Sequence, residues 1–253
     1  MRMRAAISRA ISRTPLAYLP VKVRRGPAKG AWWTLIPFSH NWREGGEGDL
    51  AAGLALLSKR SGAVCWDFGA HFGIHTVGMA IHAGPSGQVV SFEPDPGAFK
   101  RLTRHVKMNS LTNVRLFMAA ASDRSGSGTI IISHGSGSAY SHFQYEDEEI
   151  TDGTPTLAVQ KLVPDELVNR GEIRPPNLIK IDVQGHGACA IGGSIESIRR
   201  MKPVVVFSNH SRWELAGTRA QLEPLGYIPR NLAGERVSWD FLNQETALLT
   251  PPT

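Results

Sequence analysis

Short apolar runs alternate with stretches of helical periodicity along most of the chain. Val64 to Phe68 reads as a buried strand, and Ile74, Val77, Met79 and Ile81 then recur as one side of a helix that stops at Gly84-Pro85. Gln88 to Phe92 is a second short strand. Asp95-Pro96 opens the next helix with a capping acid and a proline in its first turn, and Phe99, Leu102 and Val106 line its buried side. Asn113 to Met118 gives a third strand. Leu178 to Val183, a helix reaching about Arg200, and Pro203 to Ser208 resume the alternation further on. Upstream, Asp49 is placed to cap a helix carrying Leu50, Leu54 and Leu57, which Gly62 ends, and Trp33 to Ile36 forms a short strand. From Gly226-Tyr227 through Trp239 to Leu249 the pattern gives two more strands. Alternating strands and helices predict a doubly wound α/β domain. The regularity fails once: Thr129 to Ser133 is an extra strand, and residues 134–156 are rich in glycine and serine and then acidic (Glu146, Asp147, Glu148, Glu149). So long a loop is a lid, a substrate loop or a solvated charge run.

Composition narrows the class. A chain of 253 residues accommodates one such domain with additions. Its two cysteines, Cys65 and Cys189, fall inside apolar stretches without metal-like spacing and read as buried thiols in a reducing compartment. No apolar run approaches a membrane span, and a soluble, cytoplasmic protein is expected. The net charge of +6 is uneven: nine Lys/Arg and no acid precede Glu44, and the remainder holds 19 basic against 22 acidic residues. Residues 1–45 are therefore set apart as a basic N-terminal extension, and 46–253 as the folded domain. The first thirty residues are open to three readings: an N-terminal arm, a transit-like segment, or a basic surface-seeking helix giving peripheral membrane contact. The mildly acidic remainder argues against a nucleic-acid partner, since such an enzyme carries positive charge around its cleft.

Chemistry concentrates at strand ends. Trp66-Asp67-Phe68-Gly69-Ala70-His71-Phe72-Gly73 has the pattern D-x-G-x-x-x-G, whereas dinucleotide turns read G-x-G-x-x-G and cradle a pyrophosphate. An acid here repels phosphate and suits a cationic ligand, for which S-adenosyl-L-methionine (SAM) is the candidate. Glu93 follows the next strand, where a carboxylate accepts from ribose hydroxyls in doubly wound folds. Asp182 ends a later strand on the same side of the sheet.

Taken together, WDFGAHFGIHT (66–76), FEPDP (92–96) and LIKIDVQG (178–185) resemble the FkbM family of SAM-dependent methyltransferases over about residues 45–230. The resemblance implies a Rossmann-like class I methyltransferase fold: a seven-stranded, mostly parallel sheet with helices on both faces and one antiparallel strand near the C-terminus. It implies SAM as cofactor and O-methyl transfer to a hydroxyl of a small molecule, sugar or glycan. Carried over, Asp67, Gly69, Ala70 and Gly73 surround the methionine portion and Thr76 opens the following helix. Glu93 takes the ribose, Pro94 borders the adenine, Ala120 closes its pocket, and Asp182 faces the transferable methyl.

The chain also departs from the family. Gln184 and Gly187 stand where glutamates are usual, Ala158-Val159-Gln160 lacks an aspartate, and Ser208-Asn209-His210 lacks a strand-terminal glutamate. With acids depleted, His186 and His210 become the candidate bases for an alcohol acceptor, with Asp182 orienting the acceptor or the base. His71 and His75 lie nearer the cofactor. Four other readings stay open from the residues: a SAM-binding protein without transferase activity, a metal-assisted enzyme using Asp182, His186 and His210, a nicotinamide-dependent oxidoreductase, and a nucleic-acid methyltransferase. The glycine spacing opposes the third, and the lack of an Asn-Pro-Pro-aromatic cluster or a Pro-Cys nucleophile opposes the fourth.

Overall fold

The computed structural model describes residues 19–34, 43, 45, 48–57, 61–132, 142–143, 153–242 and 245–252. Residues 1–18, the end of the strand expected at Trp33 to Ile36, and the acidic run 146–149 with most of its loop lie outside the described residues.

A seven-stranded sheet forms the centre. In chain order its strands are β3 (Val64–Phe68), β4 (Gln88–Phe92), β5 (Val114–Phe117), β10 (Leu178–Ile181), β11 (Val204–Ser208), β12 (Ile228–Arg230) and β13 (Thr246–Thr250). In space they run β12-β13-β11-β10-β3-β4-β5. All contacts are parallel except those of β13, which lies antiparallel to β11 and to β12. The expected single reversed strand near the C-terminus is thus present. The order turns back between β3 and β10, the place where doubly wound folds open a crevice.

Period-two alternation assigns the two faces. Cys65, Val89, Leu178 and Val206 face α1 (Asp49–Ala55) and α2 (Ile74–Ala83). Trp66, Phe68, Val90, Phe92, Ile179, Ile181, Val205 and Phe207 face the opposite layer. That layer comprises α4 (Pro164–Asn169), α5 (Gly187–Gly192), α6 (Ile195–Met201) and α7 (Arg212–Leu222). The single helix expected up to about Arg200 is therefore split into α5 and α6, and the intervening Ser194 is fully buried and donates to the Ala190 carbonyl. Helix α3 (Pro96–Met108) begins as anticipated: the Asp95 carboxylate accepts from the Ala98 amide. Helix α1 starts one residue earlier than expected, with Gly48 at its cap, while Asp49 accepts from the Leu50 amide. Ile81 is largely exposed and does not line the core.

Two additions decorate the sheet. The hairpin β1 (Pro20–Lys22) and β2 (Trp32–Thr34) packs on α2 and α3, with Trp33 fully buried and stacked on the His105 ring. A smaller sheet, ordered β6-β9-β7-β8, is built from β6 (Ala120–Ala121), β7 (Gly126–Ile131), β8 (His142–Phe143) and β9 (Thr156–Leu162). β9 was not anticipated from the sequence. Cys65 is buried as expected, and burial pushes its thiol up to about 12, whereas Cys189 is only half-buried. Among the described residues no helix is long and apolar enough to cross a membrane.

Candidate functional site

Sheet register builds the floor of the site. Lys180 pairs with Asp67 across β10 and β3, and Asp67 with Ser91 across β3 and β4, so three polar side chains stand in a row on the α2 face. All three are buried. Thr76, in the first turn of α2, donates to Asp67 Oδ2 at 2.6 Å and lies 2.9 Å from the Ser91 hydroxyl. The Lys180 ammonium is 3.4 Å from Asp67 Oδ1 and 3.8 Å from Asp182 Oδ2, and it donates to the Gly69 carbonyl at 2.9 Å. Burial disfavours its charge, but the two carboxylates outweigh that and raise its pKa.

Above this row the glycine turn is fixed by its neighbours. Gly69 and Ala70 both donate their amides to the Phe92 carbonyl. Gly69 has φ 77, and a Cβ there would run into the Asp182 carbonyl oxygen. Only glycine allows the turn to lie this close to the end of β10. Gly73 caps α2 with φ 89, and the Leu102 side chain fills the space a Cβ would need. The Glu93 carboxylate accepts from the His71 amide at 2.7 Å and from the Asp95 amide at 2.8 Å. Burial nevertheless pushes its pKa up to about 7.

A cleft of about 820 Å³, counted out to its open mouth, lies at the C-terminal edge of β3, β4 and β10. Gly69, Glu93, Pro94 and Ala120 are on its wall, as are Asp182 and His186. Phe92, Ala121, Ile130, Ile132 and Leu157 give it an apolar section. Ala121, Ile130 and Leu157 come from strands of the smaller sheet and Ile132 follows β7; of that sheet, only the neighbourhood of Ala120 was expected at the site. Asp67, Ala70, Gly73 and Thr76 stand behind the wall. Asp67 and Thr76 are fully buried beneath the turn, which they support. The physical reason is register: Asp67 is the penultimate residue of β3 and points under α2, whereas Glu93 and Asp182 each lie one residue beyond a strand and turn into the cleft.

The histidines separate. His210 Nε2 is 2.8 Å from Asp182 Oδ1. Burial opposes charge on this ring, yet the hydrogen bond and the charge of Asp182 prevail and raise its pKa. Burial also works against ionisation of Asp182, but Lys180 and His210 hold its carboxyl far below the usual range. His186 instead meets the Ser122 hydroxyl at 3.1 Å, and burial lowers its pKa to about 4. Of the two histidines offered as candidate bases, His210 is the one that meets Asp182, and His186 does not. His186 meets Ser122 and not Asp182, and among the described residues no group of three or more His, Cys, Asp or Glu side chains is arranged to hold a metal ion. His71 is likewise pushed down to about 4 by burial and lines the cleft, while His75 sits 3.5 Å from Asp49, away from it.

One residue escaped the sequence reading. Glu214 in α7 is 1% exposed, and its two oxygens accept the Gly187 amide and the His210 amide, each at 2.8 Å. A Cβ on Gly187 would come within 2.6 Å of that carboxylate. An acid supplied from α7 thus occupies the space beside position 187. The Ser211-x-x-Glu214 capping spacing is the local signal for its place in the first turn, where the Ser211 hydroxyl accepts the Glu214 amide; its bond to Gly187 has no local signal.

Among the described residues of the wall are three acids, Glu93, Asp95 and Asp182, and neither lysine nor arginine. A family model described as the methyltransferase FkbM domain matches residues 67–229. The chain belongs to the FkbM methyltransferase family. A hexuronic acid methyltransferase, AglP, from Haloferax volcanii is 28% identical over 168 residues, which is 64% of this chain and 62% of that protein. The chain therefore spans under two thirds of the relative's length. The crystal structure of a methyltransferase FkbM from Methylobacillus flagellatus KT shares the fold, with a TM-score of 0.50 and 18% identity, over 77% of this chain and 45% of that one. The family's methyl donor, SAM, fits the wall described above. The apolar section suits a purine, Glu93 a ribose, and the acid-bearing section a sulfonium and an amine. A pyrophosphate would meet the same acids without a cation, which disfavours a nicotinamide dinucleotide.

Proposed function

We propose that this FkbM-family chain is a SAM-dependent O-methyltransferase acting on a hydroxyl of a small molecule, sugar or glycan. Glu93 accepts from the ribose hydroxyls, Pro94 and Ala120 border the adenine, and the Gly69 turn faces the amino-acid portion. Asp67, Thr76 and Lys180 hold that turn from beneath. Bound SAM supplies a methyl group already activated by its sulfonium, so the protein's work is alignment and proton removal. Good alignment supplies roughly 7–11 kcal/mol of barrier reduction, and a positioned base roughly 10²–10⁴-fold.

The observation that carries the reading is the 2.8 Å hydrogen bond between His210 and Asp182, the latter on the cleft wall. Asp182 stays ionised beside Lys180 and is too weak a base to take an alcohol proton. It accepts from His210 Nε2, which leaves Nδ1 as the ring atom that receives the proton. A sugar-type acceptor is supported by the name of the Haloferax volcanii relative. The test is incubation with methyl-labelled SAM and a panel of hexose- and hexuronate-bearing oligosaccharides. An alkali-stable methyl ether on one of them supports the reading. An alkali-labile methyl ester, or label confined to nitrogen, rejects O-methylation of a hydroxyl.

A further inference from the structure

Away from the cleft, the β1–β2 hairpin and α3 form one basic face. Residues 19–34 contain Lys22, Arg24, Arg25 and Lys29, residues 96–108 contain Lys100, Arg101, Arg104 and Lys107, and neither segment holds an acid. These eight charges exceed the net +6 of the whole chain, so the remainder is net negative and the positive field is local. The two segments are joined firmly. The Thr34 amide and hydroxyl both reach His105 Nε2, and the Asn109 side chain accepts the Trp32 amide and donates to the Trp32 carbonyl. Lys100, Arg104 and Lys107 follow helical spacing on the exposed side of α3, and Lys22, Arg25 and Lys29 are exposed on the hairpin.

Apolar groups accompany the charge. Leu19 is 47% and Trp32 42% exposed, and the Lys22 ammonium lies 3.9 Å from the Trp32 ring centroid. Tryptophan beside lysine is the pairing favoured where headgroups meet hydrocarbon. A nucleic acid gains nothing from Leu19, and α3 leads into a cleft walled by three acids. We propose that this face docks the protein on an anionic lipid bilayer, with Trp32 and Leu19 entering the interface. Helix α3 starts at the cleft wall and is about 20 Å long, so docking places the cleft within one helix length of the headgroups.

The test is co-sedimentation of the full chain with vesicles of phosphatidylcholine alone, or with roughly one third phosphatidylglycerol, each basic side chain within reach contributing roughly fivefold. Binding only to the anionic vesicles, reversed by about 1 M salt, is expected. The double variant Lys100→Glu/Lys107→Glu should lose at least about 20-fold in partition with its thermal midpoint unchanged, and Trp32→Ala should lose several-fold. Three results overturn the proposal. The double variant could partition like the parent, which would move binding to residues 1–18. Neutral and anionic vesicles could bind equally or not at all. Or oligonucleotides could bind in a salt-sensitive way while vesicles do not.

Discussion

Replacing Lys180 with methionine is the sharpest probe of how the site is held. The ammonium is 2% exposed, 3.4 Å from a carboxylate that is fully buried, and no other cation reaches Asp67 in the described residues. At an effective dielectric of about 20 that single pair interacts by about 5 kcal/mol before desolvation is subtracted. The second partner, Asp182, is about a third exposed, so solvent screens its share and it adds little to the net figure. Methionine keeps the stem's volume and removes the charge and the bond to Gly69. What remains is an uncompensated carboxylate under α2, for which the expected loss is about 3–5 kcal/mol. Urea unfolding followed by circular dichroism measures it. The double variant Lys180→Met/Asp67→Asn removes the orphaned charge along with its partner and should recover at least half of the loss. A single-variant loss below about 1 kcal/mol, or a double variant no better than the sum of its parts, would refute the reasoning.

Other outcomes follow from the same geometry. His210 must be neutral to take a proton and its pKa is raised above 6.5, so kcat should climb as pH rises from 6 through that value. Asp182→Asn should move the acid limb downward and cut kcat by roughly 10²-fold or more, which a pH–rate profile checks. Glu214→Ala frees the Gly187 and His210 amides and should lower kcat more than it raises the KM for SAM, with partial rescue in Glu214→Gln, as steady-state kinetics would show. Stability should fall on acidification. His71, His105 and His186 sit at about 4 when folded against 6.5 unfolded, so their contribution is full above 6.5 and lost as pH drops toward 4. Glu93, raised to about 7, and Glu214, also raised, act in the opposite sense between 7 and 4.5. His210, raised above 6.5, acts in that opposite sense too, but well below 6.5 it is charged in both states and drops out. From pH 6 to 5 the three depressed histidines therefore outweigh the two glutamates, and the thermal midpoint should decline, at about 1.4 kcal/mol per pH unit for each excess proton. A flat midpoint would contradict this balance.

The central sheet was legible because its strands are short apolar runs punctuated by Gly84-Pro85 and Asp95-Pro96, each a local signal. The wall residues Gly69, Glu93, Pro94, Ala120, Asp182 and His186 were legible for a related reason: they follow strand ends on one edge. Sequence could not decide whether an acid lies inside its strand or just beyond it, and that two-residue difference buries Asp67 under α2 while placing Glu93 and Asp182 on the cleft wall. Nor could it show that α7 swings the Glu214 carboxylate against Gly187, 27 positions away. The share of the wall that β7 and β9 supply, through Ile130 and Leu157, depends on a pairing of strands separated in sequence by the Gly/Ser-rich and acidic stretch 134–156. His186 and His210 looked alike from their positions. Only their partners, Ser122 and Asp182, separate them.

Calorimetric titration of the full chain with SAM, alongside Glu93→Gln, bears most directly on the cleft as a nucleoside site. The parent should bind one SAM per chain, and Glu93→Gln should bind at least about tenfold more weakly, about 1.4 kcal/mol, with an unaltered thermal midpoint at pH 7. Equal affinity in the two proteins, or no binding by the parent, would contradict it.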